Sequence, residues 1–357
     1  MPLDKFKPIL FYLAMGVIVI VVSIVGGRFL TSLEEEIPLP EGFTIIRPPE
    51  EVNAMILDGD FVWAGGRDGV YQIDRLNKEL IQQLDLPEYV DLVKGLVVDW
   101  HGNLWIGHFG GLTIYDGIQY HHLGPHQLPD QRVNCIYKTR EGHILVGTFG
   151  GVAVFDGTEV TFITQESGLL DSMVNVIYED HLGGLWFGHY VAPLGGVSYL
   201  SQDEWQYFTI DNQLPHNNVT VFYQDTSHDL WIGTGLFHTG GAARLSLNHH
   251  TWQIVQTYSM ENDVLAGEKV RSIFQDHMDH LWIGSEFDGL AIVLDLKIPF
   301  NTDNLIYLDE EHGLSGYEVK VMWQDQNQNL WLGTHNGVTV INADGIKQYI
   351  KSTRKDD

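Results

Sequence analysis

The chain has 357 residues, 44% of them hydrophobic and 11% aromatic, enough for a large core, and its length alone admits two or three domains. Its 47 acidic residues against 20 basic ones exclude the basic footprint of a nucleic-acid binder and electrostatic docking onto anionic lipid. The single cysteine, Cys135, excludes an intrachain disulfide.

From the N-terminus, a short tail (1–8) precedes the run "ILFYLAMGVIVIVVSIVGG" at 9–27, apolar and uncharged over 19 residues. At ~1.5 Å rise per residue that run is long enough to cross a bilayer. Lys5 and Lys7 before it and the acidic "EEE" at 34–36 after it predict a cytoplasmic N-terminus and an exported body. We therefore expect a retained transmembrane signal-anchor over 9–30. The competing reading is a cleaved signal peptide, whose apolar core is usually shorter, ~7–15 residues, and ends at a small-residue site. Residues 31–42, with two prolines, read as an extended linker.

From residue 43 onward the chain repeats itself. "VDWHGNLWIGHFGGL" (98–112) returns as "QDTSHDLWIGTG" (224–235), "QDHMDHLWIGS" (275–285) and "QDQNQNLWLGTHNGV" (324–338). Aligned on the Trp position the units place Trp63, Trp105, Leu145, Trp186, Trp231, Trp282 and Trp331 at separations of 42, 40, 41, 45, 51 and 49 residues. That period is the length of a propeller blade and excludes the shorter helical repeats. Each unit reads as four short strands: one like "VNVIYED" (174–180), the "LWIGT" strand, a third like "GVAVFDG" and a fourth like "WQYFTI" (205–210). The expected fold is all-β, a seven-bladed β-propeller over 43–357 preceded by one N-terminal transmembrane helix. No helical apolar spacing is evident after residue 43. Phe43–Ile46 and "IKQYIKS" (346–352) compete for the outer strand that closes the ring. Asp58, Asp99, Asp180, Asp225, Asp276 and Asp325 recur at the start of the turn before the Trp strand, with Thr139 in the third blade. Recurrence in nearly every blade marks them as structural acceptors of turn N–H groups rather than as a catalytic site.

The pattern V-x-x-I-x-x-D-x-x-G-x-L-W-I-G-T-x-x-G-L resembles the two-component regulator propeller repeat over essentially residues 43–350. The resemblance implies an exported sensor propeller of the kind found in membrane-bound hybrid histidine kinases, associated with recognition of polysaccharide fragments. Nothing after residue 350 reads as the spacer, second span, kinase or DNA-binding domain of those proteins, so it implies fold and ligand binding rather than kinase activity.

Motifs for a nucleophile elbow, a phosphate loop or a zinc protease are missing, and Cys135 within a first-strand pattern reads as a small core residue. Three residues beyond the Trp position, His108 and His189 replace a Thr that otherwise dominates, and both are expected to face the channel mouth among the ligand-binding residues. They lie two blades apart, too far for a shared metal with bonds of ~2.0–2.1 Å, and no metal or cofactor is expected. The second residue of each innermost strand is polar: Asn53, Lys94, Asn134, Asn175, Thr220, Arg271 and Lys320. Lys94, Arg271 and Lys320, with Arg67 on a nearby loop, are expected at one side of the channel mouth, either as a positive pocket for an acidic ligand or as partners of structural acids. The longer loops at 189–196 and 234–241 fall on the same face and offer Tyr190, Phe237 and His238 for stacking, unless their length is ordinary loop drift. The leading expectation is a membrane-anchored, extracytoplasmic module, not an enzyme, that binds a glycan or another small acidic ligand, with no nucleic-acid partner. The alternatives are an envelope scaffold engaging a separate membrane sensor kinase, and a lyase similar to the propeller-type virginiamycin lyases, for which His108, His189 and Glu268 are the candidate acid–base groups.

Overall fold

The computed structural model describes residues 38–190, 194–260 and 265–354. The chain divides by contact into Met1–Leu39 and Pro40–Asp357, and every described strand belongs to the second unit. The expected cytoplasmic tail, the transmembrane segment and most of the linker lie outside the described residues. Among those described, no helix is long and apolar enough to cross a membrane.

Seven four-stranded antiparallel sheets follow one another in sequence, blades 1 to 7, as the repeat requires. Their innermost strands are Ala54–Asp58, Gly95–Val98, Val133–Lys138, Val174–Glu179, Val219–Gln224, Val270–Gln275 and Val319–Gln324. The core lies between blades. Trp231 of blade 5, with none of its surface exposed, packs on Val270, Ile273, Leu281 and Ile283 of blade 6. Trp331 of blade 7 does the same with Val52, Met55, Val62 and Ala64 of blade 1, so the ring is continuous. The glycine after each Trp strand admits the next blade. A Cβ on Gly107 would stand 2.6 Å from Val133, and one on Gly333 would stand 2.7 Å from Val52, closer than atoms tolerate.

One carboxylate organises each turn. Asp225 accepts the backbone N–H groups of Ser227 and Asp229 on one oxygen at 2.9 and 3.0 Å, and the Trp231 indole N–H on the other at 2.9 Å. The indole bond recurs from Trp63, Trp105, Trp186, Trp282 and Trp331 to Asp58, Asp99, Asp180, Asp276 and Asp325 at 2.9–3.2 Å. Burial alone would raise the Asp276 carboxyl, but hydrogen bonds from His280 and Trp282 outweigh it and hold the group below the usual carboxylate range. Blade 3 lacks both partners at once. With Leu145 in place of Trp there is no indole to bind, and Thr139 accepts only the His143 N–H, at 3.0 Å.

Phe43–Ile46 closes the ring by pairing with Gly337–Ile341, in the register Phe43↔Ile341 to Ile46↔Val338. The competing closure fails because residues 343–353 form a helix, Ala343–Thr353, where no helical spacing was expected, while the ring itself is all-β as expected. The stretch carries apolar residues at 346, 349 and 350, a helical rather than an alternating spacing. Asn342 caps it by accepting the Gly345 N–H at 2.8 Å, and Ile346 and Tyr349 are buried against blades 6 and 7. Phe43 and Gly42 stand at the turn end of blade 7, against this helix, so the N-terminal segment enters the ring at the end carrying the aspartate turns.

Replacing Asp225 by Ala strands a buried indole N–H and two turn amides and should cost about 3 kcal/mol in denaturant unfolding, whereas Thr139→Ala should cost about 1 kcal/mol. Equal losses would show that the Trp–Asp bond is not what holds the turns.

Candidate functional site

At the end opposite the aspartate turns, three columns of residues converge on the ring axis. The first flanks each innermost strand on its N-terminal side (Glu51, Met173, Asn218, Lys269 and Glu318 among them). The second is the polar column read from the sequence. The third occupies the turn after the Trp strand (Arg67, Phe109, Phe149, Tyr190, Glu286). Register shifts between Val133 and Cys135, Val174 and Val176, Val219 and Val221, Val270 and Ser272, and Val319 and Val321 leave Asn134, Asn175, Thr220, Arg271 and Lys320 as bulge residues. A bulge turns the extra side chain out of the alternation of the strand. That is why a polar residue is tolerated inside an apolar run: it points into the channel. All seven members of the polar column line one cavity of about 730 Å³ on the axis.

Part of the column holds the ring together. Asn53, Asn134 and Asn175 donate to the carbonyls of Val93, Val174 and Val219 in the following blades at 3.1–3.2 Å, and Thr220 donates to Val270 at 2.5 Å. The charged members form a network. Arg271 pairs with Glu318 at 3.0 Å and Glu286 at 3.8 Å, Lys320 with Glu51 at 2.6 Å and Glu318 at 3.3 Å, and Lys269 with Glu286. Burial raises the Glu51 carboxyl, but Lys320 and Arg67 outweigh it and bring it down to about 2. Lys94 stands apart: it has no ion pair among the described residues and lies over the Phe109 ring at 5.7 Å. Burial, reinforced by Arg271 and Lys320, lowers its ammonium to about 8, against a weaker opposing pull from Glu51 and Glu318.

The residues picked from the sequence divide accordingly. Lys94, Arg271, Lys320 and Tyr190 line the axial cavity. Arg67 stands outside it, with 77% of its side chain exposed, bound to Glu51 at 2.8 Å and lining a separate groove. Phe237, 67% exposed, and His238 lie at the rim of blade 5, beyond the cavity-lining Leu236. His108 and His189 correct the expectation that they reach the mouth: both are fully buried inside their blades. His108 takes over one contact of the Thr it replaces, its Nδ1 accepting the Gly110 N–H at 3.1 Å as Thr148 accepts that of Gly150. Thr148 and Thr334 tie the strand end to the carbonyls of Gly151 and Gly337. His108 instead bonds Thr113 at 3.0 Å, and His189 bonds Ser198 at 2.8 Å. Desolvation drops both imidazoles to about 4, so they are neutral at physiological pH. Cys135 packs against the core between blades 3 and 4 and also borders the cavity, its thiol pushed up to about 12 by burial. Phe109 and Phe149, edge to face at 5.9 Å, and the cation Lys269 were missed. The signal was present: both Phe stand four residues beyond the Trp position, where blade 4 carries Tyr190.

A family model described as two component regulator propeller matches residues 127–150 and 213–235, in each case the approach loop and first two strands of a blade. A search of the curated proteins finds no match. Among solved structures, the extracellular domain assigned to a hybrid two-component system of B. thetaiotaomicron superposes with a TM-score of 0.66 at 22% identity, over 85% of this chain and 42% of that one. This chain therefore spans less than half the length of that relative. A catalytically inactive virginiamycin B lyase from Staphylococcus aureus, with quinupristin, gives 0.61 at 12% identity over 84% of this chain and 98% of that one. YCF48 bound to a D1 peptide gives 0.61 at 10%, over 85% and 99%. At these identities the likeness is one of fold. Residues 127–150 and 213–235 thus carry the two-component regulator propeller repeat, and the pattern read from the residues extends it to the other blades of the seven-bladed ring.

Proposed function

We propose that the propeller recognises an anionic ligand, with an acidic oligosaccharide the class that fits best, at the mouth of its central channel, and that it does so in an extracytoplasmic sensing role, held at a membrane by the apolar run at 9–27. One observation carries the reading. In a chain with 47 acidic and 20 basic residues, the described lining of the channel contains Lys94, Lys269, Arg271 and Lys320 and no Asp or Glu. The carboxylates that pair three of these cations, Glu286, Glu318 and Glu51, are not part of that lining, which leaves Lys94 to meet a ligand charge. Phe109, Phe149 and Tyr190 supply an aromatic wall on blades 2 to 4, suited to the C–H face of a sugar ring. The extracellular role of the B. thetaiotaomicron domain and the charges flanking residues 9–27 support the placement outside the cytoplasm. Recognition is preferred over lyase-type turnover because an acid–base pair must reach the substrate, and His108 and His189 are held inside their blades. A second reading, a scaffold for a separate membrane sensor protein, draws on the apolar residues exposed at the opposite end, where Leu76, Trp100 and Ile118 are 75%, 69% and 87% exposed.

The test is thermal shift of the full-length chain against acidic and neutral oligosaccharides of equal length. A ligand at a hundred times its Kd adds ~2.7 kcal/mol, enough to move Tm by degrees. We expect a shift confined to acidic sugars and abolished by Lys94→Ala. A shift shared by neutral sugars, or retained in the variant, would sink the reading.

Lys94 also sets the pH dependence. Its free ammonium titrates at about 8, so affinity for the acidic ligand should be level below that pH and fall above it. The unliganded protein should respond in the opposite sense. A lysine whose folded value lies below its unfolded one carries its cost when charged, below pH 8, and sheds that cost between pH 8 and about 10.5. Lys94→Met should therefore raise stability at pH 7 by on the order of 2 kcal/mol, with the gain fading as the pH approaches 10.5. A gain that is independent of pH would refute a charged, desolvated Lys94.

A further inference from the structure

Beside the mouth, at the rim between blades 5 and 6, lies a second cavity of about 370 Å³ whose lining includes Gln213, His238, Tyr258 and Glu268. Glu268 and Lys269 are consecutive, and the chain here separates two chemistries: Lys269 lines the channel and Glu268 the outer cavity. The Glu268 Oε2 atom is buried and has no hydrogen-bond partner. A buried carboxylate oxygen left without a donor is costly, and the deficit is removed by any ligand that brings an O–H or N–H group. Exposed aromatic rings stand beside the outer cavity, reached through His238, which lines it. Phe237, held at φ 53° in the tip of the Leu236–Thr239 hairpin, follows the channel-lining Leu236 and is 67% exposed. Phe287 follows Glu286, the partner of Lys269, and is 43% exposed. His238 lies against it with ring centroids 5.2 Å apart, a contact from blade 5 to blade 6. A bulky exposed residue in the left-handed region is uncommon, and it places the ring outward, where it meets solvent or a ligand. The backbone there is also tight: a Cβ on Gly240 would stand 2.7 Å from the Glu268 carbonyl, so the hairpin is set directly on the segment that carries the carboxylate.

We propose that this outer cavity is a second sugar subsite, occupied by a neutral pyranose joined to the acidic residue held at the channel mouth. The inference rests on the mouth being an anion site and adds the polarity of the ligand. An acidic ring cannot follow into the outer cavity, because Glu268 repels its carboxylate. A neutral ring instead stacks on Phe237 and Phe287 and donates its hydroxyls to Glu268 Oε2. The preferred ligand is accordingly an acidic sugar followed by neutral ones, and not a run of uronic acids.

Calorimetric titration of the full-length chain with glucuronic acid, aldotriouronic acid (glucuronic acid joined to xylobiose), xylotriose and trigalacturonate distinguishes the sites. Aldotriouronic acid should bind at least about tenfold more tightly than glucuronic acid or trigalacturonate, the size of one charge-assisted hydrogen bond. Glu268→Ala and, separately, the exposed Phe237→Ala should erase that gain and leave glucuronic acid binding unchanged. Lys94→Ala should weaken every acidic ligand. A gain that survives both Glu268→Ala and Phe237→Ala overturns the outer subsite while the mouth stands. Binding of xylotriose and aldotriouronic acid that is lost in Glu268→Ala yet indifferent to Lys94→Ala supports the outer subsite and overturns the mouth. No binding by any of the four sugars overturns both.

Discussion

The bond from a Trp indole to the aspartate six residues before it, or five in blade 1, is the constraint from which the ring is built. Its effect is to join a turn to an interblade contact. One carboxylate oxygen gathers the backbone N–H groups of the turn, while the other fixes the orientation of the largest side chain in the blade. Burying such a ring removes on the order of 200 Å² from water, about 5 kcal/mol of hydrophobic stabilisation as an upper bound. That gain is realised only if the indole N–H is satisfied as well. The aspartate thus allows Trp, rather than Leu, to serve as the interblade wedge. Blade 3 shows the dependence from the other side. Leu145 has no N–H to satisfy, and the acceptor position has relaxed to Thr139, which keeps the turn bond alone.

Fixing one end of each blade leaves the other end free to vary. At the mouth the same repeat positions carry Asn, Thr, Lys or Arg, because a bulge residue points into the channel and packs against little. Some of these positions are used to bond the next blade, and others collect charge. The two tasks are distributed around the ring. Neutral ties occupy blades 1 and 3 to 5, while the cations stand on blades 6, 7 and 2. The acids Glu51, Glu286 and Glu318 come from the neighbouring columns and hold Arg271 and Lys320 in place. A paired cation in a rigid network loses little entropy when a ligand arrives, whereas the desolvated Lys94 gains most from one.

The architecture was legible because it is repeated. Seven recurrences of Val and Gly, with Asp and Trp in six of the seven units, determine blade number, strand order and the location of the core, and the structure keeps all of these. The polar column was legible for the same reason: seven aligned positions expose a polar residue as an exception that needs an explanation. What escaped were features that depend on partners. The indole–aspartate bond links two columns that had been read separately. The charges of Arg271 and Lys320 were visible in the sequence, but their neutralisation by Glu318 and Glu51 depends on which columns meet at the axis. His108 and His189 looked exceptional beside Thr and proved to be buried, bonding Thr113 and Ser198 within their own blades. The C-terminal helix is hard to read from the sequence because its apolar residues, at 346, 349 and 350, span barely one turn.

Closure by Phe43–Ile46 gives the molecule a direction. The strand enters blade 7 from the end that carries the aspartate turns, beside the helix capped by Asn342, and runs toward the end that carries the mouth. The hydrogen bonds that complete the ring are therefore made by the first segment after the linker. Any pull on that segment is applied antiparallel along Gly337–Ile341, the register that holds blade 7 to itself and, through Trp331, to blade 1. Lys320 and Glu51, bonded at 2.6 Å, bridge the same two blades at the mouth. At the junction between the first and last blades, the closing strand pairs with Gly337–Ile341, Trp331 packs on blade 1, and Lys320 and Glu51 bridge the two blades at the mouth, so closure and the charged side of the mouth draw on the same pair of blades.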